Sequence, residues 1–237
     1  MPDECEYIAW IDCDVIFEKP DWAEAAMEAL KSFNLVHLFQ ERKDLPIDAD
    51  LAMVLQGDAH SSAVDTRPST GYRIVLGDSV QEDYQRVSGE AKSTTGLAWG
   101  CRRELLQTHG LYDACIVGGG DRVILGSAMG WLELTADYHR MFGARRDHYF
   151  AWAQAFHQSV QGQVGYIDGS LVHLWHGETK NRRYVSRLNI LPRHDYTPQH
   201  DIALDANGVW TWASEKPALH QDVSEYFAGR LEDGRAS

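Results

Sequence analysis

The sequence predicts an α/β fold, a mixed sheet flanked by helices, and three observations predict it. Tyr7-Ile8-Ala9-Trp10-Ile11 is a short apolar run of the buried-strand type. A helical stretch and a second apolar run, Leu35 to Phe39, follow at the spacing of a strand–helix–strand unit. Further along, short apolar runs alternate with helical ones, without an internal repeat, a low-complexity tract or a Gly/Ser linker. One large domain over residues 1–215, followed by a C-terminal helix and tail over 216–237, fits this pattern.

The first strand ends in Asp12-Cys13-Asp14 and resumes as Val15-Ile16-Phe17. Pro20 and Asp21 open a helix whose Trp22, Ala26, Leu30 and Phe33 fall on one face. Residues 41–70 are polar and irregular and are expected to form a long loop. Tyr72 to Leu76 is expected to be a strand, and 77–93 a loop or short helix. Thr95 to Trp99 is extended. Arg103 to Thr108 is a short helix that stops at His109-Gly110. Gly118-Gly119-Gly120 breaks the chain, and Asp121 is expected to cap a helix running to about Met129. Residues 136–160 are expected to be one aromatic-rich helix. Val164–Ile167 and Leu171–Trp175 are strands around the Asp168-Gly169 turn. Asn181 to Leu191 is a basic helix, Trp210 and Trp212 belong to a late strand, and 217–237 form a helix and a frayed tail.

Composition narrows the partners. The net charge of −13 repels phosphate backbones and anionic membranes, so no nucleic acid and no lipid surface is expected. No run approaches the roughly 18 apolar residues of a membrane span. The acidic start, Met1 to Glu6, is unlike a signal peptide. Four cysteines without a CxxC pair suit reduced thiols, and the expected location is cytoplasmic. Eight Trp and ten Tyr suit a packed core and also sugar binding, where flat apolar sugar faces stack on rings.

Four groups of residues point to chemistry. Asp12 and Asp14, two apart at a strand end, can hold a hard divalent cation and a ligand hydroxyl. Chance alone gives about two Asp-x-Asp triplets in such a chain. The second, Asp48-Ala49-Asp50, lacks a strand before it and is expected to be solvated surface. Gly118, Gly119 and Gly120 allow close backbone approach to a ligand faced by Asp121, which is otherwise a simple helix cap. His173 and His176 point to opposite faces if the strand runs through both, and can reach one ion if it turns between them. Lys180, Arg182, Arg183 and Arg187 form the densest positive cluster, suited to phosphate or simply to a solvated helix face.

Together these features resemble a metal-dependent glycosyltransferase of the GT-A fold. The likeness is to the C-terminal galactosyltransferase-type half of the β-1,4-galactosyltransferase and polypeptide N-acetylgalactosaminyltransferase group. It rests on Gly96-Leu97-Ala98, Arg102-Arg103, Gly110-Leu111-Tyr112-Asp113 and Gly118-Gly119-Gly120-Asp121 in that order, and spans roughly residues 5 to 190. His173-x-x-His176 followed by Lys180-Asn181 is similar to the family's Met-x-x-His with Lys-Asn. His173 stands where the family has Met, and Gly120 where it often has an acid.

The resemblance implies a GT-A-like catalytic domain over 1–215. Asp12 would face the donor ribose, Asp14 with His176 and His173 would bind Mn²⁺ or Mg²⁺, and Asp121 would face the acceptor as base. Lys180, Arg182 and Arg183 would share the diphosphate's charge. Trp99 and Trp175, with the three glycines, would contact the sugars. The donor would be a nucleotide-diphospho-sugar, UDP-linked, and the acceptor a glycan or lipid-linked sugar, with inversion at the anomeric carbon. Enzymes of this kind place about a hundred nucleotide-binding residues before the Asp-x-Asp. Eleven precede Asp12 here, so the expectation is a fold incomplete at its N-terminus with an apolar sheet edge left uncovered. Two other readings of the same residues are a metallohydrolase built on the Asp/His cluster and a non-catalytic carbohydrate-binding remnant.

Overall fold

A computed structural model describes residues 4–50, 52, 54, 63–86 and 90–232. Parts of the expected loops at 41–70 and 77–93, and the end of the tail at 233–237, lie outside the described residues. The chain is a mixed α/β structure. Its main sheet runs β1 (Tyr7–Ile11), β6 (Ala98–Arg102), β3 (Leu35–His37), β7 (Val164–Tyr166); only the β3–β7 pair is parallel. A second sheet runs β2 (Val15–Phe17), β8 (Ser170–His173), β4 (Glu41–Asp44), β5 (Asp65–Pro68), with β8 and β4 parallel. A small hairpin joins β9 (Ile202–Leu204) to β10 (Trp210–Trp212).

Alternation along β3 shows why helices cover both faces of the main sheet. Leu35 packs with Leu125, Phe156 and Val160, from α5 (Gly120–Ala128) and α7 (Gly143–Val160). Val36, one residue on, packs with Ala26 of α1 (Trp22–Ala29) and with Leu30 and Leu38 on the other side. The expected α1 face, Trp22, Ala26, Leu30 and Phe33, lies in this second cluster. Each fully buried leucine of this kind contributes about 1.5–3 kcal/mol. A third cluster joins α7 to the C-terminal helix α10 (Pro217–Ala228) through Tyr149, Ala153, Leu219 and Tyr226. Strand β1 stands at one edge of the main sheet, with Ile11 38% exposed.

Several elements differ from expectation for identifiable reasons. The expected loop at 41–70 contains the β4–β5 pair. Tyr72–Leu76 is not a strand but part of α2 (Thr70–Val75), because the Ser69 hydroxyl accepts from the Tyr72 N–H and caps it. The expected helix at 136–160 is two, α6 (Leu132–Tyr138) and α7, separated where Arg140 takes φ +53°. The expected basic helix at 181–191 is two short 3₁₀ turns, Thr179–Arg182 and Ser186–Asn189, divided by Arg183 at φ +50° and followed by α8 (Ile190–Arg193). The strands at 164–167 and 171–175 exist, but β7 and β8 join different sheets rather than forming a hairpin. Short helices also occur at α3 (Gln81–Tyr84), α4 (Arg103–His109) and α9 (Pro198–Asp201).

Candidate active site

The acidic triplet sits where the chain crosses from one sheet to the other. The Asp12 N–H donates to the carbonyl of Leu97, just before β6, at 2.7 Å, and the N–H of Leu174, just after β8, donates to the Asp14 carbonyl at 2.8 Å. Val15 pairs with His173 across β2 and β8, which places Asp14 beside the end of β8. The strand ends at His173, so the chain turns and both imidazoles face one carboxylate. His173 Nε2 lies 3.7 Å and His176 Nε2 3.6 Å from Asp14 Oδ2. The two rings meet edge to face, centroids 4.6 Å apart.

Asp44 completes this arrangement from the other side. It is the register partner of His173 in the parallel β4–β8 pair, and His173 Nδ1 donates to its Oδ1 at 2.8 Å. When the ring is neutral, that bond holds its proton on Nδ1 and turns the Nε2 lone pair toward Asp14; when it is charged, Nε2 carries a second proton toward Asp14. Arg42 in turn donates to Asp44 Oδ2 at 2.6 Å. Burial works against charge on both members of the Asp14–His173 pair. Their mutual attraction outweighs it, with Asp44 helping His173, so the Asp14 carboxyl is held low and the His173 imidazolium is favoured.

Asp14, His173 and His176 each offer one ligand atom, and these atoms lie within 4.8 Å of one another. Asp14 Oδ1 is buried without a hydrogen-bond partner, a cost that a cation would relieve. The residues therefore fit a divalent ion. Two imidazoles and one carboxylate suit Mn²⁺ better than Mg²⁺, which prefers an all-oxygen shell.

The glycine loop brings the third acid. Gly118 and Gly119 take φ of +95° and +94°, and Gly119 is the N-cap of α5. Asp121 is therefore not the N-cap residue: it stands two positions further on, in the first turn of the helix. Its carboxylate fits against Gly96, where an added Cβ would come within 2.8 Å of Oδ2. Burial, and then the negative charge of Asp12, push the Asp121 carboxyl up to about 7. Asp12 is itself raised, by burial and then by Asp14.

These residues line one cleft of about 570 Å³. Asp12, Asp14, Asp121, His173, His176, Arg182 and the three glycines all face it. Four expected members do not. Trp99 is fully buried, its ring stacked on His37 at 3.4 Å and its Nε1 bonded to the Thr95 carbonyl, so it is core and not a sugar platform. Trp175 is partly buried and outside the lining. Lys180 and Arg183 are exposed and point away, because the 3₁₀ turn presents only Arg182 inward. The sequence reasoning also missed Trp10, which lines the cleft with its Nε1 buried and unpartnered, and Asp44. Trp10 alternates with Ile11 before Asp12, and that position was the one available signal.

Asp48-Ala49-Asp50 forms a surface turn, as expected, with Asp50 Oδ1 accepting from the Ala52 N–H. All four cysteines are free thiols. Among the described residues no helix is long and apolar enough to cross a membrane. No protein-family model, no curated protein and no solved structure matches the chain.

Proposed function

We propose that the chain is a metal-dependent glycosyltransferase of GT-A type, moving a sugar from a UDP-linked donor to a hydroxyl of a glycan or lipid-linked acceptor with inversion. The observation that carries this reading is one cleft in which Asp14, His173 and His176 converge while Asp121 is pushed up to about 7. A carboxylate tuned to that range is matched to taking a proton from an attacking hydroxyl near neutral pH. The resemblance over residues 96–121 supports the same assignment.

Asp14, His173 and His176 would hold Mn²⁺, which supplies neutralisation of the charge that develops on a leaving diphosphate. Arg182 adds a guanidinium to the same end of the cleft, where its charge reaches both Asp12 and Asp14. Asp12 faces the donor ribose. Asp121 binds the acceptor hydroxyl and takes its proton, and Gly96 keeps space for the carboxylate.

Calorimetry with UDP, Mn²⁺ and simple sugars tests the reading. UDP is expected to bind only when Mn²⁺ is present, and His176→Ala is expected to abolish both. Binding of Mn²⁺ without UDP, with turnover of a hydrolysable ester, would give the site to a metallohydrolase. Sugar binding indifferent to Mn²⁺ and UDP would make it a carbohydrate-binding module.

A further inference from the structure

Five arginines line the cleft, and three of them face a carboxylate. Arg42 pairs with Asp44 and Asp65. Arg182 and Arg230 share the Glu232 carboxylate. Arg122 is boxed between the rings of Tyr84 and Tyr138, 5.1 and 4.2 Å from their centroids, and donates to the Tyr84 carbonyl. Arg187 differs. Its Nη1 donates to the Tyr226 hydroxyl at 2.9 Å, its guanidinium lies 4.9 Å from the Tyr184 ring centroid, and its Nε, like those of Arg42 and Arg230, is buried without a partner. Among the described residues it has no carboxylate. A partly buried cation lacking a counter-charge is costly, and a ligand oxyanion would remove that cost.

Its position separates it from the metal end. Arg182 is the arginine whose charge reaches Asp12 and Asp14. Arg187 lies against the glycine loop, where a Cβ on Gly118 would stand 2.9 Å from its Nη1. Its charge acts on His139 and Cys115 around that loop. Gly118 precedes the base Asp121 by three residues, and the absence of a side chain there leaves the guanidinium open to the loop. Tyr184 and Tyr226 hold the guanidinium in place. A held guanidinium presents paired donors that match a carboxylate or phosphate.

We propose that Arg187 is an oxyanion subsite on the acceptor side of the cleft, built for a carboxylate or phosphate carried by the acceptor. The acceptor assignment rests on the glycosyltransferase reading; the oxyanion site does not.

The test measures binding of D-glucuronate, glucose 6-phosphate and D-glucose to the full chain by saturation-transfer NMR, with and without saturating UDP and Mn²⁺. The acidic sugars are expected to bind at least about tenfold more tightly than glucose, the size of one charge-assisted hydrogen bond. UDP with Mn²⁺ should not displace them. Arg187→Gln, which keeps a donor for Tyr226, should bring the acidic sugars to within about twofold of glucose; Arg187→Lys should retain part of the preference. The glucuronate to glucose 6-phosphate ratio identifies which oxyanion the site takes. Equal binding of acidic and neutral sugars by the parent protein overturns the proposal without any variant, as does an Arg187→Gln protein that keeps the full preference. Displacement by UDP with Mn²⁺ moves the anion to the donor side and overturns the acceptor assignment. Failure of UDP to bind, beside acidic-sugar binding that depends on Arg187, overturns the glycosyltransferase reading and leaves the oxyanion site standing.

Discussion

On the proposed function Asp121 is the residue on which the chemistry turns, and its ionisation is a physical consequence of two neighbours. Burial against Gly96 removes water from the carboxylate, and Asp12 adds a like charge. A carboxyl ¹³C titration of the metal-free protein is expected to show Asp121 with a midpoint near 7. Asp12→Asn should lower that midpoint, because it removes the second cause and leaves the first. In turnover, Asp121→Asn should retain UDP and Mn²⁺ binding while the rate falls by about 10²-fold or more; parent-level turnover would assign the proton to another acid, with Asp113 on the cleft rim the nearest candidate. Asp12, Asp14, Asp121, His173, His176 and Arg182 were legible in the sequence, because short motifs at strand ends and after glycines carry their own geometry. Asp44 was not: Glu41-Arg42-Lys43-Asp44 is four charged residues with no apolar alternation. It is a strand because Lys43 is buried in an ion pair with Glu18, at 2.8 Å, inside the second sheet.

At the scale of elements, β8 is the keystone of the site. Its two neighbours deliver Asp14 and Asp44 to opposite nitrogens of one imidazole. Asp44→Asn should preserve the fold and reduce Mn²⁺ affinity by about 10–100-fold, the usual effect of removing a carboxylate behind a ligating histidine. Calorimetric titration with Mn²⁺ alone checks this; an unchanged affinity would show that Asp44 merely fills space. The elements that were readable from the sequence are those with local signals: β1, α1, the α4 stop at Gly110 and the start of α5 after the glycines. The unreadable ones depend on distant partners. Tyr72-Arg73-Ile74-Val75 has strand composition, yet the N–H of Gly71 donates to His37 Nδ1 and α2 packs on β7. A Cβ on Gly71 would lie 2.3 Å from the Gly165 carbonyl, a contact that only the assembled sheet defines.

For the whole molecule, buried titratable groups set the response to acid. Burial pushes His37 and His139 down to about 3 from 6.5. As pH falls through 6.5 the unfolded chain binds these protons and the folded chain does not, so their contribution is complete above 6.5 and is lost toward 3. Asp121 acts in the opposite sense. Its folded value of about 7 exceeds the ordinary 3.8, so its contribution is present below 3.8 and is lost as pH rises through 7. Each unmatched proton changes stability by about 1.4 kcal/mol per pH unit. Thermal melting between pH 6.5 and 4 should show a falling midpoint. Asp121→Asn should steepen that fall by removing the opposing group; a shallower fall would contradict the burial assigned to these three side chains.

The pairing of β8 with both β2 and β4 has a temporal consequence. The residues around one imidazole come from positions 14, 44 and 173, so the ligand set draws on the beginning and the later part of the chain. Closing loops of that length is among the slow steps of folding. On the proposed function, affinity for a dication would not arise from any early, local fragment of structure. It would belong to a late stage of assembly, and capture of the ion would report that residues 14, 44 and 173 have been brought together.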